Sequence, residues 1–138
     1  VEIRAFLPSD YAAARALWEA TDGVGLSAAD ERDPICAYLE RNPAMSFVAE
    51  DAGIVGTILC GHDGRRGLIH HLVTAPSHRR RGIGRALLER GLDALRREGI
   101  DKCHLLVYRS NADGIAFWRR VGAEERTSLA LFSLVTNA

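Results

Sequence analysis

The first alternation of polar and apolar residues, Glu2-Ile3-Arg4-Ala5-Phe6, predicts a short strand with one buried face. Pro8-Ser9-Asp10 then opens a helix, because proline's fixed φ suits a first turn, and Tyr11, Ala14, Leu17 and Trp18 recur at helical spacing up to Thr21-Asp22-Gly23. A second helix is predicted from Ser27, whose hydroxyl can serve the free first-turn amides with Asp30 three residues on, and Asn42-Pro43 ends it. Its apolar stripe is Ile35, Tyr38 and Leu39. Strands follow at Met45 to Glu50 and Ile54 to Cys60, joined by the hairpin residues Asp51-Ala52-Gly53. A turn over residues 62–67 leads to a third strand, Leu68 to Thr74.

Past Pro76 the period lengthens from two to between three and four. Ile83, Leu87, Leu88, Leu92 and Leu95 predict a long helix stopped by Gly99. Cys103 to Tyr108 is a nearly continuous apolar run, as expected of a central strand. Asn111 to Val121 is a shorter helix closed by Gly122, and Leu129 to Val135 is a last strand. The predicted order is β-α-α-β-β-β-α-β-α-β: a mixed α/β (α+β) sheet of hairpins with one right-handed parallel crossover. No repeat or linker divides the chain, and half of 138 residues would bury too little surface, so a single domain over 1–138 is expected.

Composition narrows the function classes. No apolar run reaches the ~18–20 residues that cross a bilayer, and Val1-Glu2-Ile3-Arg4 lacks the form of a secretory signal, so no membrane association and a cytoplasmic location are expected. Cys36, Cys60 and Cys103 are isolated, with no paired Cys or His spacing, which predicts buried thiols and no metal. Formal net charge is zero, which argues against general nucleic-acid binding, yet the charges are segregated. Residues 1–64 hold four arginines against eleven carboxylates, whereas residues 65–97 hold nine arginines against Glu89 and Asp93. The second segment is suited to an anion, the first to a cation.

The arginines concentrate where a strand, a loop, two glycines and a helix follow one another, from Leu72-Val73-Thr74 through Arg79-Arg80-Arg81-Gly82-Ile83-Gly84-Arg85. Gly82 and Gly84 permit close backbone approach, and the first amides of the helix lack partners within it. Amides, helix dipole and guanidiniums together predict a phosphate or pyrophosphate site. There is no Gly-Lys-Ser/Thr of a P-loop and no third glycine of a dinucleotide fingerprint.

With Arg79-x-x-Gly82-x-Gly84 after Leu72-Val73-Thr74-Ala75-Pro76, and with Asn111 opening a helix that ends at Gly122, the chain resembles the GNAT superfamily of acetyl-coenzyme A-dependent N-acetyltransferases along essentially its whole length. The resemblance implies the GNAT-like acyl-CoA N-acyltransferase fold and transfer of acetyl from acetyl-CoA to an amine, a small molecule or a protein amino group. It further implies that amides of Arg79 to Arg85 hold the cofactor's pyrophosphate, that Leu72, Val73 and Thr74 pair with its pantetheine arm, and that Asn111 bonds it as the next strand splays away. One free strand amide would polarise the thioester carbonyl as an oxyanion donor.

Direct attack needs a base to take a proton from the amine. His70 is the first candidate, since an imidazole titrates near ~6.5 and strand alternation puts it on one face with Leu72 and Thr74, a position where at least one member of the superfamily carries histidine; His71 falls on the other face. The family's usual tyrosine acid, four residues before the final glycine, is Trp118 here, and an indole N–H is no practical acid. Trp118 can pack on the pantetheine or fill the core. The acidic half, with Asp22, Asp30, Glu31, Asp33 and Glu50, favours a cationic acceptor. Trp118 also keeps open a second reading, a sensor module that binds acetyl-CoA without turnover, and the Arg cluster alone would fit a third, nucleic-acid binding. Whether the last strand pairs at home or in a homodimer is open.

Overall fold

The computed structural model describes residues 1–137. Five strands form one sheet in the order β1-β2-β3-β4-β5: β1 (Glu2–Ala5), β2 (Phe47–Glu50), β3 (Ile54–His62), β4 (Gly67–Thr74) and β5 (Cys103–Leu105). The first four are antiparallel neighbours; β5 lies parallel to β4, reached by the crossover through α3 (Ile83–Arg97). This is the mixed sheet expected from hairpin chemistry followed by one helical crossover.

Helices cover both faces. On one, Ile83, Leu87, Leu88, Ala94 and Leu95 of α3 pack on Phe47, Ile58, Cys60 and Ile69, joined at the margin by Phe117 and Trp118 of α4 (Ala112–Arg120) and by Val121 just after it. On the other, α1 (Tyr11–Glu19) and α2 (Arg32–Arg41) bury Tyr11, Ala14, Trp18 and Ile35 against Val48, Leu59 and Val73. Trp18, fully enclosed, donates its indole N–H to Thr57 Oγ1 at 2.9 Å, so its one polar atom is satisfied.

Several expectations change. The capping box at Ser27 forms, with Asp30 Oδ2 accepting the Ser27 amide at 2.9 Å and Ser27 Oγ accepting the Ala29 amide at 3.2 Å, but it closes a 3₁₀ turn over Ala28–Asp30. Pro34, which has no N–H, fits the first turn of a helix started afresh at Arg32. Only Cys60 is buried; Cys36 and Cys103 are partly exposed. Burial pushes the Cys60 thiol up to about 12, with Cys103 adding to the effect.

The largest differences lie at the C-terminus. The apolar run after Cys103 is strand only as far as Leu105, and it forms the edge of the sheet rather than its centre. The predicted strand Leu129 to Val135 does not form: residues 128–137 carry no regular structure, and Leu129, Leu131, Phe132, Leu134 and Val135 are 63–92% exposed. Among the described residues no helix is long and apolar enough to cross a membrane.

Candidate active site

β4 and β5 pair at Gly67 with Cys103, Leu68 with His104 and Ile69 with Leu105, and then part. The opposite side of β4 stays on β3 through His70 with Leu59, Val73 with Thr57 and Thr74 with Gly56. From His70 onward one side of β4 therefore has no strand partner. The gap is a cleft of about 1090 Å3 whose floor is residues 69–74 and whose walls are the loop 21–25, residues 105–108 and the starts of α3 and α4.

The glycine-rich turn stands at the head of this cleft. Gly82 has φ +78, left-handed, as its residue type allows, and Arg80 is left-handed too at +64. The Arg79 amide is spent internally on the Pro76 carbonyl at 3.4 Å, which corrects its expected part in anion binding. Among the described residues no acceptor meets the amides of Arg80, Arg81, Gly82, Ile83, Gly84 or Arg85. Arg79, Arg80 and Arg85 border the cleft, while Arg81 does not. Six free amides at the start of a fifteen-residue helix, flanked by exposed guanidiniums, make an anion cradle.

The turn is braced by a contact that sequence reading missed. His78 Nε2 lies 2.8 Å from Asp51 Oδ2 in the β2–β3 hairpin, and His78 Nδ1 lies 2.7 Å from Ser77 Oγ. The His78 hydrogen bond holds the Asp51 carboxyl below its ordinary range. Nothing in the spacing of two residues 27 apart signals this pair.

The register of β3 and β4 shifts between Thr57 and Leu59, and opposite that shift His71 takes φ +47. This bulge inserts one extra residue and cancels the assumed alternation. His70 and His71 both end up on the α1/α2 side, with His70 6.0 Å from the Tyr38 ring and His71 4.5 Å from the Trp18 ring. Leu72 packs on the α3 side, so His70 does not share its face. Thr57 Oγ1 donates to the His71 carbonyl at 2.8 Å, which fixes the bulge from the core.

The two imidazoles differ. His71 Nε2 is committed to Asp30 Oδ1 at 2.6 Å, and both side chains are only 13% exposed. Neither ring nitrogen of His70 has a hydrogen-bond partner among the described residues. The residue is exposed to solvent and lines the cleft. Desolvation, then the charge of His71, lower its pKa, with Asp30 acting weakly the other way.

Leu72, Val73, Thr74, Asn111 and Trp118 all border the cleft. Asn111 Oδ1, however, caps α4 by accepting the Gly114 amide at 3.0 Å, leaving Nδ2 as its free polar group. Trp118 is half-buried, edge-on to Phe117 at 5.2 Å, so it is both core margin and cleft wall. Tyr108, not picked out from the sequence, is the tyrosine of the lining, and its hydroxyl lies against Gly25. Of the five carboxylates expected to attract a cation, Asp22 reaches the cleft; Asp30 is taken by His71, and Glu50 pairs with Arg4 at 3.2 Å. Asp113 lines it as well.

Residues 11–123 match the sequence profile of the Acetyltransferase (GNAT) family. An acetyltransferase of Sodalis glossinidius is 35% identical over 132 residues, 95% of this chain and 92% of that protein. One of Pectobacterium atrosepticum is 36% identical over 125 residues, covering 90% and 88%. Among solved structures, the PaiA N-acetyltransferase of Thermoplasma acidophilum in complex with coenzyme A superposes with a TM-score of 0.72 at 21% identity, over 88% of this chain and 87% of that one. Ard1 of Thermoplasma volcanium gives 0.76 at 23%, over 88% and 80%.

Proposed function

Because the chain belongs to the GNAT family of acetyltransferases, we propose that it moves an acetyl group from acetyl-coenzyme A to an amine by direct attack, with His70 as the base. The observation that carries this reading is the run of free amides from Arg80 to Arg85 at one end of the unpaired edge of β4. A diphosphate on those amides leaves a pantetheine arm to run along residues 70–74 as a surrogate strand, where a backbone N–H meets the thioester oxygen.

The amine nitrogen attacks the thioester carbonyl carbon, and the proton it sheds passes to the neutral His70 ring. The C–N bond forms, the C–S bond breaks, and coenzyme A leaves as thiolate. A thiol titrates near ~8.5, so the thiolate can take its proton from water or from the Tyr108 hydroxyl; Trp118 has none to give. His71, pinned by Asp30, positions the bulge rather than moving protons. Asp22 and Asp113 favour a cationic acceptor, a small amine or a protein amino group.

The test is thiol release from acetyl-CoA with a panel of polyamines, amino sugars and peptides with free amino termini. Turnover on at least one, reduced strongly in His70→Ala, supports the reading. Tight cofactor binding without turnover on the whole panel would instead favour the sensor reading, whose one structural support is Trp118.

A further inference from the structure

The segment between β4 and α3 changes character at Arg79. Up to that residue its backbone is fixed: the Ala75 amide donates to the Val55 carbonyl of β3 at 2.8 Å, and the His78 amide to the Ala75 carbonyl at 2.9 Å. From Arg80 to Arg85 no amide has an acceptor among the described residues, yet Arg80 and Gly82 both stand in the left-handed region, at φ +64 and +78. Left-handed backbone at a residue other than glycine persists only where its surroundings hold it. His78 is the anchored side chain nearest to that point along the chain.

Its imidazole is held at both nitrogens. Nε2 lies 2.8 Å from Asp51 Oδ2 in the β2–β3 hairpin, and Nδ1 lies 2.7 Å from Ser77 Oγ. An ionised carboxylate can only accept, so Nε2 carries the hydrogen, and in the neutral ring Nδ1 then accepts from the Ser77 hydroxyl. Asp51 is itself fixed, its amide donating to the Gly53 carbonyl at 2.8 Å. The His78 side chain is 16% exposed, and the residue borders the cleft together with Arg79 and Arg80. A carboxylate close to an anion cradle opposes the anion, so its presence needs a reason. The His78 bond and, more weakly, the charge of Arg81 hold the Asp51 carboxyl below its ordinary range. Arg81, the arginine of the turn that does not border the cleft, thus acts on Asp51 instead.

We propose that His78 is a positioning residue for acetyl-coenzyme A: anchored on Asp51, it ties the turn to the β2–β3 hairpin and presets the free amides of Arg80 to Arg85 for the diphosphate before the cofactor arrives. The proposal rests on the reading of those amides as the diphosphate cradle. Presetting raises affinity, because a turn that is already ordered loses less freedom on binding. It also gives the carboxylate its reason: Asp51 costs the site some electrostatic attraction and supplies a fixed acceptor in return. The pair stands at the head of the cleft rather than beside His70, so its effect falls on the diphosphate end of the cofactor and not on proton transfer.

The experiment is calorimetry with coenzyme A on the parent, His78→Phe, Asp51→Ala and Asp51→Asn, with urea unfolding of each beside it. His78→Phe keeps a ring and loses both hydrogen bonds. Asp51→Ala removes the anchor at a site 46% exposed, where folding is least at risk. Asp51→Asn keeps an acceptor oxygen for Nε2 and drops the charge. The dissociation constant should rise ~5–30-fold in the first two and stay within about threefold of the parent in Asp51→Asn. On an accepted amine, KM for acetyl-CoA should rise by the same factor with kcat held, whereas KM for S-acetylpantetheine, which lacks the diphosphate, should not move. Unchanged affinity in His78→Phe and Asp51→Ala overturns this proposal alone. So does a loss in Asp51→Asn equal to that in Asp51→Ala, or an equal rise in both values of KM, which a general loosening of the fold would give. A parent that does not bind coenzyme A overturns it together with the acetyl-transfer reading.

Discussion

His71 Nε2 lies 2.6 Å from Asp30 Oδ1, and this one contact ties the bulge of β4 to the 3₁₀ turn that precedes α2. Asp30 serves both sides, because its other oxygen accepts the Ser27 amide while its carbonyl accepts from Tyr11 and Arg15. The bulge in turn holds Thr57, and Thr57 holds Trp18. A chain of satisfied polar groups thus runs from the core to the 3₁₀ turn before α2.

Asp30→Ala removes the His71 contact and the acceptor for Ser27 together. It is expected to lower unfolding free energy by ~1–3 kcal/mol and to raise KM for the amine, while weakening acetyl-CoA binding less, since the anion cradle lies elsewhere. Urea unfolding, steady-state kinetics and calorimetry read the three quantities separately. An unchanged acceptor KM would remove the positioning role.

As the proposed base, His70 should control the acidic limb of the pH profile. Desolvation and the nearby His71 charge lower its pKa, so the neutral form persists to lower pH, and kcat/KM should rise with pH to a midpoint below ~6.5. His70→Ala should cost ~10²–10⁴ in kcat and abolish that limb. A midpoint above 6.5, or a limb that persists in the variant, assigns the base to another group.

Gly82→Ala tests the cradle through backbone strain alone. An added Cβ meets nothing within 4 Å, but φ +78 remains costly for an L side chain, by about 1–2 kcal/mol. Cofactor affinity should fall ~5–30-fold if the turn relaxes to escape that strain. Gly64→Ala, at φ +93 in the remote β3–β4 turn with equal space around it, is the control: it should lose comparable stability and keep full affinity. Equal affinity in both variants would detach the turn from the cofactor.

Much of this was readable along the chain because it rests on local chemistry. Hairpin turns, the helix stripes, the Ser27 capping pair and the free amides after Arg79 each follow from residues within a few positions of one another. What escaped depends on through-space pairing. The bulge at His71 turns on Thr57 and Trp18, distant in sequence, and without it period-two counting sends His70 and His71 to opposite faces. The tail illustrates the other limit. Its pattern predicts a strand that does not form, because a strand exists only against a neighbour and pattern alone does not supply one.

Acid should weaken the fold through Asp10. Its carboxylate accepts from Arg4 Nη1 and Nη2 at 2.8 and 2.9 Å and from the Leu7 amide at 2.8 Å, with its side chain only 10% exposed. The Arg4 bonds depress its pKa, burial opposing them. A carboxylate held below its unfolded value of ~3.9 contributes stability that is complete above that pH and lost as pH falls through the folded value. Asp51 acts in the same direction through His78, but at a more exposed site. Asp10→Asn should therefore cost ~1–3 kcal/mol at pH 7, where the parent is ionised, and progressively less in acid, as the pH falls through the depressed folded value and the parent carboxyl itself becomes neutral. Urea unfolding of both proteins at pH 7 and in acid gives the comparison. An equal loss at both would mean that shape and hydrogen bonding, rather than ionisation, make this pair matter, and the acid sensitivity of the fold would have to arise at other carboxylates.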